Sequence, residues 1–175
     1  MPEISVHIAS KKSDFEAARG LCREWLDWHW NEYPDDWPLE GNPMAHDKFE
    51  SIVRDLERLH ARPGGAILIA SVDGKPVGCV MYNEAQPGVA VFNRMFVSEV
   101  GRGCGLGQLM LERMFEQMSV DGYEKVFFSS AKFLTHAKAM YEAAGFTSSP
   151  HPVGFPAEWR DRVYFMERSL ATQQD

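Results

Sequence analysis

Cysteine is scarce in this chain, and what there is forms no pair. Cys22, Cys79 and Cys104 are the only three among 175 residues. Odd in number and widely scattered, they lack the spacing of a disulfide framework, a redox couple or a metal site. No metal is expected. Long apolar runs are missing as well. Nothing approaches the roughly 18 residues needed to cross a bilayer, and the opening MPEISVHIASKK has no apolar centre of the kind a secretory signal carries. A reducing cytoplasm is the expected compartment. Positive charge is in the minority, with 18 Lys and Arg against 25 Asp and Glu and a net charge of −7. That balance argues against nucleic acid or an anionic membrane as a partner, and it suits a cationic amine. Repeats and linkers are absent too. What remains, 45% hydrophobic and 25% charged residues, is the make-up of one globular domain covering residues 1–175 with a core of its own.

The most informative stretch is Val89–Gly107, VAVFNRMFVSEVGRGCGLG. It reads as a strand, a short connection and a glycine-spaced turn that opens a helix. Gly103, Gly105 and Gly107 stand at every second position and remove side chains where a ligand must come close to the main chain. Free amides in such a turn, backed by the positive end of the helix, make a seat for phosphate or pyrophosphate, and Arg102 adds a full charge at its mouth. Spacing excludes two other phosphate loops. A dinucleotide fingerprint, Gly-x-Gly-x-x-Gly, fails because counting from Gly101 puts Leu106 third and counting from Gly103 puts Gln108 there. A nucleotide P-loop fails because Gly107 is followed by Gln108 and Leu109. Cys104 raises a different chemistry, since a thiol near a helix N-terminus can become nucleophilic and carry an acyl group. No His-plus-acid pair is placed to support that route.

Periodicity gives the remaining elements. Ile4–Ile8 alternates apolar and polar residues as a half-buried strand does. Ser13-Asp14-Phe15-Glu16 has the form of a capping box, with Ser13 and Glu16 covering free amides at a helix start. Phe15, Ala18, Cys22, Trp25, Leu26 and His29 then keep helical spacing to about residue 30. Tyr33–Pro43, broken by Pro34, Pro38, Gly41 and Pro43, is expected as a loop. A second amphipathic helix carries Phe49, Ile52, Val53, Leu56 and Leu59 inward and stops before Pro63-Gly64-Gly65. Ala66–Val72 and Pro76–Asn83 flank Asp73-Gly74, a strong hairpin signal. Gln86-Pro87-Gly88 turns the chain again into Val89–Val97, completing an antiparallel meander. After the glycine turn, Leu111, Met114, Phe115 and Met118 mark a helix packed on a sheet, ended by Asp121-Gly122. Lys125–Ser130 is a strand, parallel to Val89–Val97 because a crossover helix joins them. A helix over about Leu134–Ala144 stops at Gly145, and strands near Phe146 and Val163–Leu170 finish the sheet.

Two motifs in this frame carry a resemblance. Arg102-x-x-Gly105-x-Gly107 is similar to the Gln/Arg-x-x-Gly-x-Gly/Ala loop of the GCN5-related N-acetyltransferases, the GNAT family. Ala137-x-x-Met140-Tyr141-x-x-x-Gly145-Phe146 resembles that family's Ala-x-x-Leu-Tyr-x-x-x-Gly-Phe segment. The element order, β-α-α-β-β-β-α-β-α-β-β, is also the family's. The resemblance covers roughly Ile67 to Leu170, and the N-terminal third matches only in its two helices and aromatic loop. It implies a single-domain α/β acyl-CoA N-acyltransferase fold, with a mixed, mostly antiparallel sheet and a central parallel strand pair flanked by helices. It also implies an acetyl-CoA-dependent N-acetyltransferase working by direct attack of a primary amine in a ternary complex. The acceptor is expected to be a small molecule such as an amino acid or a polyamine. A protein or peptide acceptor, or a non-catalytic acyl-CoA-binding sensor, are the alternatives. Pairing into a homodimer through the last strands is an expectation of the same fold.

The resemblance also assigns residues. The pantetheine of acetyl-coenzyme A would pair with main chain at Met95, Phe96 and Val97, where the two parallel strands splay. The pyrophosphate would sit on amides of Arg102, Gly103, Cys104, Gly105, Leu106, Gly107 and Gln108, with Ala137 and Tyr141 on the far side. An amide near Phe96 or Val97 would donate to the oxyanion. Tyr141 is the expected general acid toward the coenzyme A thiolate; the alternative is a buried tyrosine that only packs. Relatives place a glutamate on the strand before the loop, where this chain has Val91, Asn93 and Met95. Glu84 is the nearest carboxylate in sequence and the candidate base, with His29, Glu32 and Asp35 also in reach of an acceptor. Leu134 replaces an asparagine that touches pantetheine in relatives, and Lys132, His136 or Lys138 could compensate at the ribose phosphate. Trp28, Trp30, Tyr33 and Trp37 fall where the fold shapes its acceptor pocket, as an apolar wall or a cation–π site, or else form a small core closing the helix pair. Phe155–Trp159 is a candidate for the opposite wall.

Overall fold

The computed structural model describes residues 1–40, 42 and 44–170, so Gly41 and Pro43, two of the breakers in the N-terminal loop, lie outside the described residues. The strands are β1 (Ile4–Ile8), β2 (Ala66–Val72), β3 (Lys75–Gln86), β4 (Val89–Val97), β5 (Lys125–Ala131), β6 (Thr147–Ser149) and β7 (Val163–Ser169). The helices are α1 (Lys12–Glu32), α2 (His46–Arg54), α3 (Leu56–Leu59), α4 (Leu106–Val120), α5 (Thr135–Ala143) and α6 (Ala157–Arg160). All strands join one sheet in the order β1-β2-β3-β4-β5-β7-β6. The Asp73-Gly74 turn takes positive φ at both positions, 50° and 78°, the primed geometry that matches strand twist and joins β2 to β3. The β4–α4–β5 crossover makes the expected parallel pair, while the other neighbours run antiparallel. No helix among the described residues is long and apolar enough to cross a membrane.

The sheet is buried on both faces, which is why Ala66 through Ala70 of β2 are all inaccessible. Leu68, Val80, Phe92, Met110, Met114, Phe128 and Phe146 pack in the layer that faces α4 and α5. Ala18, Cys22, Leu26, Phe49, Val53, Leu56, Ile67, Ile69, Met81 and Phe96 pack in the layer that faces α1, α2 and α3. Phe92 and Phe96 are four apart on one strand, yet they serve opposite layers. Strand parity alone would put them on the same face. The register explains it: Cys79 pairs with Phe96 but Met81 with Asn93, so two steps on β3 match three on β4. The extra residue is a β-bulge, and Arg94 within it takes φ 53°, an uncommon value for a side chain of that size.

Four local expectations change. The first helix starts at Lys12, so Ser13 lies inside it. The cap is made instead by Asp14, whose Oδ2 accepts from the backbone N–H of Ser10 at 3.0 Å and of Lys11 at 3.1 Å. Those bonds, with His7 alongside, hold the Asp14 carboxyl down at about 2. The second helix is broken at Asp55 into α2 and α3, and Leu59 at its end is 36% exposed rather than inward. The loop over residues 155–159 carries the short helix α6. β3 runs on to Gln86 because its pairing with β4 continues to Val89.

Candidate active site

The parallel pairing of β4 with β5 covers only Val89 with Lys125, Ala90 with Val126 and Val91 with Phe127. Beyond these the two strands part: β4 enters its bulge at Asn93–Met95, while β5 continues its ladder with β7 alone. A cavity of about 670 Å³ opens there. Its walls come from β4 at 92–97, from β5 at Phe128, Ser129 and Ser130, from the glycine turn, from α5 and from α1.

The glycine turn is built to present amides. Gly105, the residue before α4, has φ 79°, a left-handed conformation that β-carbons disfavour. Gly107 is in the helix and has a different reason: an added Cβ would sit 3.0 Å from Met140 Sδ and 3.7 Å from Met95 Cε. Removing the side chain lets α4 approach α5 and β4. Among the described residues none accepts a hydrogen bond from the backbone N–H of residues 103 to 108; the first such donor is Leu109, to the Gly105 carbonyl. Leu106, Gly107 and Gln108 are the unsatisfied first turn of a 15-residue helix. Six consecutive donors at a helix N-terminus form an anion cradle. Arg102 pins the turn by donating from Nε to the Val97 carbonyl at 3.0 Å.

Met95, Phe96, Val97, Arg102, Gly103, Gly105, Leu106, Gly107, Gln108, Ala137 and Tyr141 all line this cavity, as do Leu134 and His136. Cys104 does not; its thiol is exposed and points back to the Gly101 carbonyl at 3.1 Å. Tyr141 is held by rings on two sides, 4.4 Å from Phe128 and 5.8 Å from Phe92 between centroids. Its hydroxyl has no hydrogen-bond partner among the described residues. Burial, with Tyr164 nearby, pushes its pKa well above the ordinary tyrosine range, so the group is a neutral donor throughout the working pH range.

Glu84 is not brought to the cavity. It lies exposed near the end of β3, opposite Ala90, at the edge where β4 begins. Of the aromatic residues expected to meet an acceptor, Trp28 lines the cavity, joined by Trp25 one turn earlier. Tyr33 and Trp37 do not. They pack around Phe133, with centroids at 5.8 and 5.2 Å, and Trp37 meets Trp159 at 6.4 Å, while Trp30 joins Tyr33 at 4.7 Å. The Tyr33 hydroxyl donates to the Pro38 carbonyl. His29 is buried in this nest, 5.1 Å from Trp25 and 5.2 Å from Phe133. Neither ring nitrogen has a partner among the described residues, and burial lowers its pKa to about 4. Lys138 sits over the Tyr164 ring at 5.1 Å, away from the cavity.

Trp25, Asn93 and Arg94 also line the cavity. The signal for the last two is in the sequence: an Asn-Arg pair interrupts the otherwise apolar run VAVFNRMFV, where a bulge would re-aim side chains. The Arg94 Nη2 donates to His60 Nε2 at 2.6 Å and its Nε faces Met81 Sδ at 3.1 Å. His60 Nδ1 donates to the Tyr82 carbonyl at 2.9 Å, which fixes the tautomer. Burial, then the Arg94 charge, lowers the His60 pKa to about 4, so this imidazole is neutral and serves as an acceptor. Among the described residues no Asp or Glu lines the cavity; its titratable residues are Arg94, Arg102, His136 and Tyr141.

Comparison with known proteins agrees with this geometry. The model of the acetyltransferase (GNAT) family matches residues 22–146. An IAA acetyltransferase of Azospirillum brasilense is 29% identical over 113 residues, covering 64% of this chain and 67% of that protein. Among solved structures, a GNAT-family acetyltransferase from Staphylococcus aureus Mu50 superposes with a TM-score of 0.72 at 18% identity, covering 97% of this chain and all of that one (100%). The PaiA N-acetyltransferase of Thermoplasma acidophilum, solved in complex with coenzyme A, gives 0.67 at 17% identity over 95% of this chain and 99% of its own. At such identities the structural likeness speaks for the fold alone.

Proposed function

The chain belongs to the acetyltransferase (GNAT) family, and from that premise we propose that it moves an acetyl group from acetyl-coenzyme A to the primary amine of a small molecule, by direct attack in a ternary complex. Use of acetyl-coenzyme A is the family's chemistry. The observation that carries the reading for this chain is the run of free amides from 103 to 108 beside two parting strands. Those amides and Arg102 suit a pyrophosphate, and the exposed edge of β4 at Met95, Phe96 and Val97 suits the amide groups of pantetheine. Three free cysteines fit a cytoplasmic location.

In the transfer, the amine nitrogen forms the new N–C bond with the acetyl carbonyl carbon, and the C–S bond breaks as the tetrahedral centre collapses. Tyr141 gives its phenolic proton, or a hydrogen bond, to the departing sulfur. An amide of β4 near Phe96 steadies the oxyanion. With no carboxylate among the described residues of the cavity wall, the proton released from the ammonium leaves through water. Coenzyme A calorimetry and thiol release with a panel of amines test the reading together. Binding plus release with small amines is the expected result. Release with peptides alone would turn it into a protein modifier, binding without release into a sensor, and no coenzyme A binding would end it.

A further inference from the structure

Arg94 is an arginine without a counter-ion. Its guanidinium is half-buried, and it makes no ion pair with any described carboxylate. The ionisable groups that face it are His60, held neutral, and the thiols of Cys22 and Cys79, both 0% exposed. The hydrogen bond between the two thiols, with the Arg94 charge, draws the Cys22 pKa down, while the same bond and burial push that of Cys79 up, and neither is a carboxylate. Taking a cation out of water without a partner is costly, and here the backbone is strained as well, at φ 53° inside a bulge. Strain of this kind persists where it places a functional group. Nε and Nη2 are engaged by Met81 and His60, while Nη1 makes no hydrogen bond to a described residue. The residue lines the same cavity as Trp25 and Trp28.

The cavity therefore has the opposite character to the chain as a whole. The net charge is −7, yet the walls carry Arg94 and Arg102 and, among the described residues, no acid. Arg102 stands at the cradle, so its charge is matched by the pyrophosphate. Arg94 lines the cavity together with Trp25 and Trp28 of α1. A polyamine would bring further positive charge beside an unscreened guanidinium. We propose that Arg94 is the receptor for a carboxylate on the acceptor, so that the amine acetylated by this chain is amino-acid-like, its carboxylate on Arg94 and its apolar part against Trp25 and Trp28. This rests on the acetyl-transfer reading. His60 is a positioning residue: it holds Nη2 and leaves the N–H groups of Nη1 to the carboxylate.

The test uses matched pairs of acceptors, amino acids and their decarboxylated amines with identical side chains, in thiol-release assays on the full chain. Coenzyme A affinity is measured in parallel by calorimetry. The expected result is a preference for the acid member in kcat/KM on the order of a hundredfold, expressed mostly in KM. Arg94→Gln should erase that preference while leaving coenzyme A affinity within about twofold, and Arg94→Lys should restore part of it. Equal use of both members overturns the proposal. So does a preference that survives in Arg94→Gln, or coenzyme A binding with no transfer to any amino acid tried. Absence of coenzyme A binding in the unaltered chain is a different result: it overturns the acetyl-transfer reading, and this proposal falls with it.

Discussion

Where the turn from Gly103 to Gln108 meets the cavity it offers main-chain amides and little else, whereas the opposite wall, from Trp25, Trp28 and Arg94, offers side chains. On the function proposed above, the first surface would recognise a group common to every acyl-coenzyme A, with donors fixed by helix geometry whatever the flanking residues are. The second would select the acceptor, through side chains borne by α1 and β4. Tyr141 stands between the two, reached from α5, and its environment is apolar on both sides. In that reading, acetyl transfer and the choice of acceptor fall to physically different kinds of surface within one cavity.

The contrast can be broken at three points. The largest effect is expected at the junction: Tyr141→Phe should lower kcat roughly ten- to a thousandfold, with coenzyme A affinity nearly unchanged because the ring still packs on Phe128. An unchanged kcat across the pH range would leave Tyr141 as a packing residue. Next comes the cradle. Gly105→Ala puts a Cβ on a residue at φ 79°, so the turn should rearrange and coenzyme A affinity fall about tenfold, while the ratio of KM values between acceptors stays the same. A change in that ratio would show that the two surfaces are not separate.

The smallest effect on catalysis belongs to the aromatic nest behind α1. His29→Phe replaces two unpartnered nitrogens with carbon among rings, which should raise the thermal midpoint by roughly 2–4 °C. The pH dependence sharpens this. The native pKa of His29 is about 4, depressed from 6.5. The unfolded chain therefore takes up a proton that the native chain refuses, and stability is lost as pH falls from 6.5 toward 4. His60 acts in the same sense, with a native value also about 4. The midpoint should drop over that window, and less so in His29→Phe; an equal drop in both proteins would show that His29 is wet or charged in the native state.

How much of this was legible follows the same division. The cradle could be read from glycine spacing because its function resides in the backbone, and glycine is the residue whose absence of a side chain is itself the signal. The hairpin at Asp73-Gly74 and the stripe of Leu111, Met114 and Met118 were legible for the same local reason. Glu84 drew attention by sequence distance to the loop, yet β3 carries it to the far end of the sheet, opposite Ala90. Trp37 and Tyr33 are close to Trp28 in the chain, but Phe133, 96 and 100 residues on, draws them into a core of their own. The Asn93-Arg94 pair breaks an apolar run and so hints at a bulge, but an arginine in a strand ordinarily means a solvated face, and it takes the pairing of β4 with β3 to show the extra residue that turns it inward. Likewise Asp14, not Ser13, caps α1, since the backbone amides of Ser10 and Lys11 happen to face it. Each of these depends on contacts that spacing does not encode.

The two-for-three register between β3 and β4 has one more consequence. In a regular strand, losing an interior residue flips every side chain beyond it to the other face. Loss of the extra residue between Phe92 and Phe96 would do no such thing, because two steps on β4 would then stand against two on β3, with Phe92 still opposite Tyr82 and Phe96 still opposite Cys79. Both rings would keep their layers, while the kink that carries Arg94 would be ironed flat. That short stretch should therefore tolerate the loss of a residue that the rest of β4 would not.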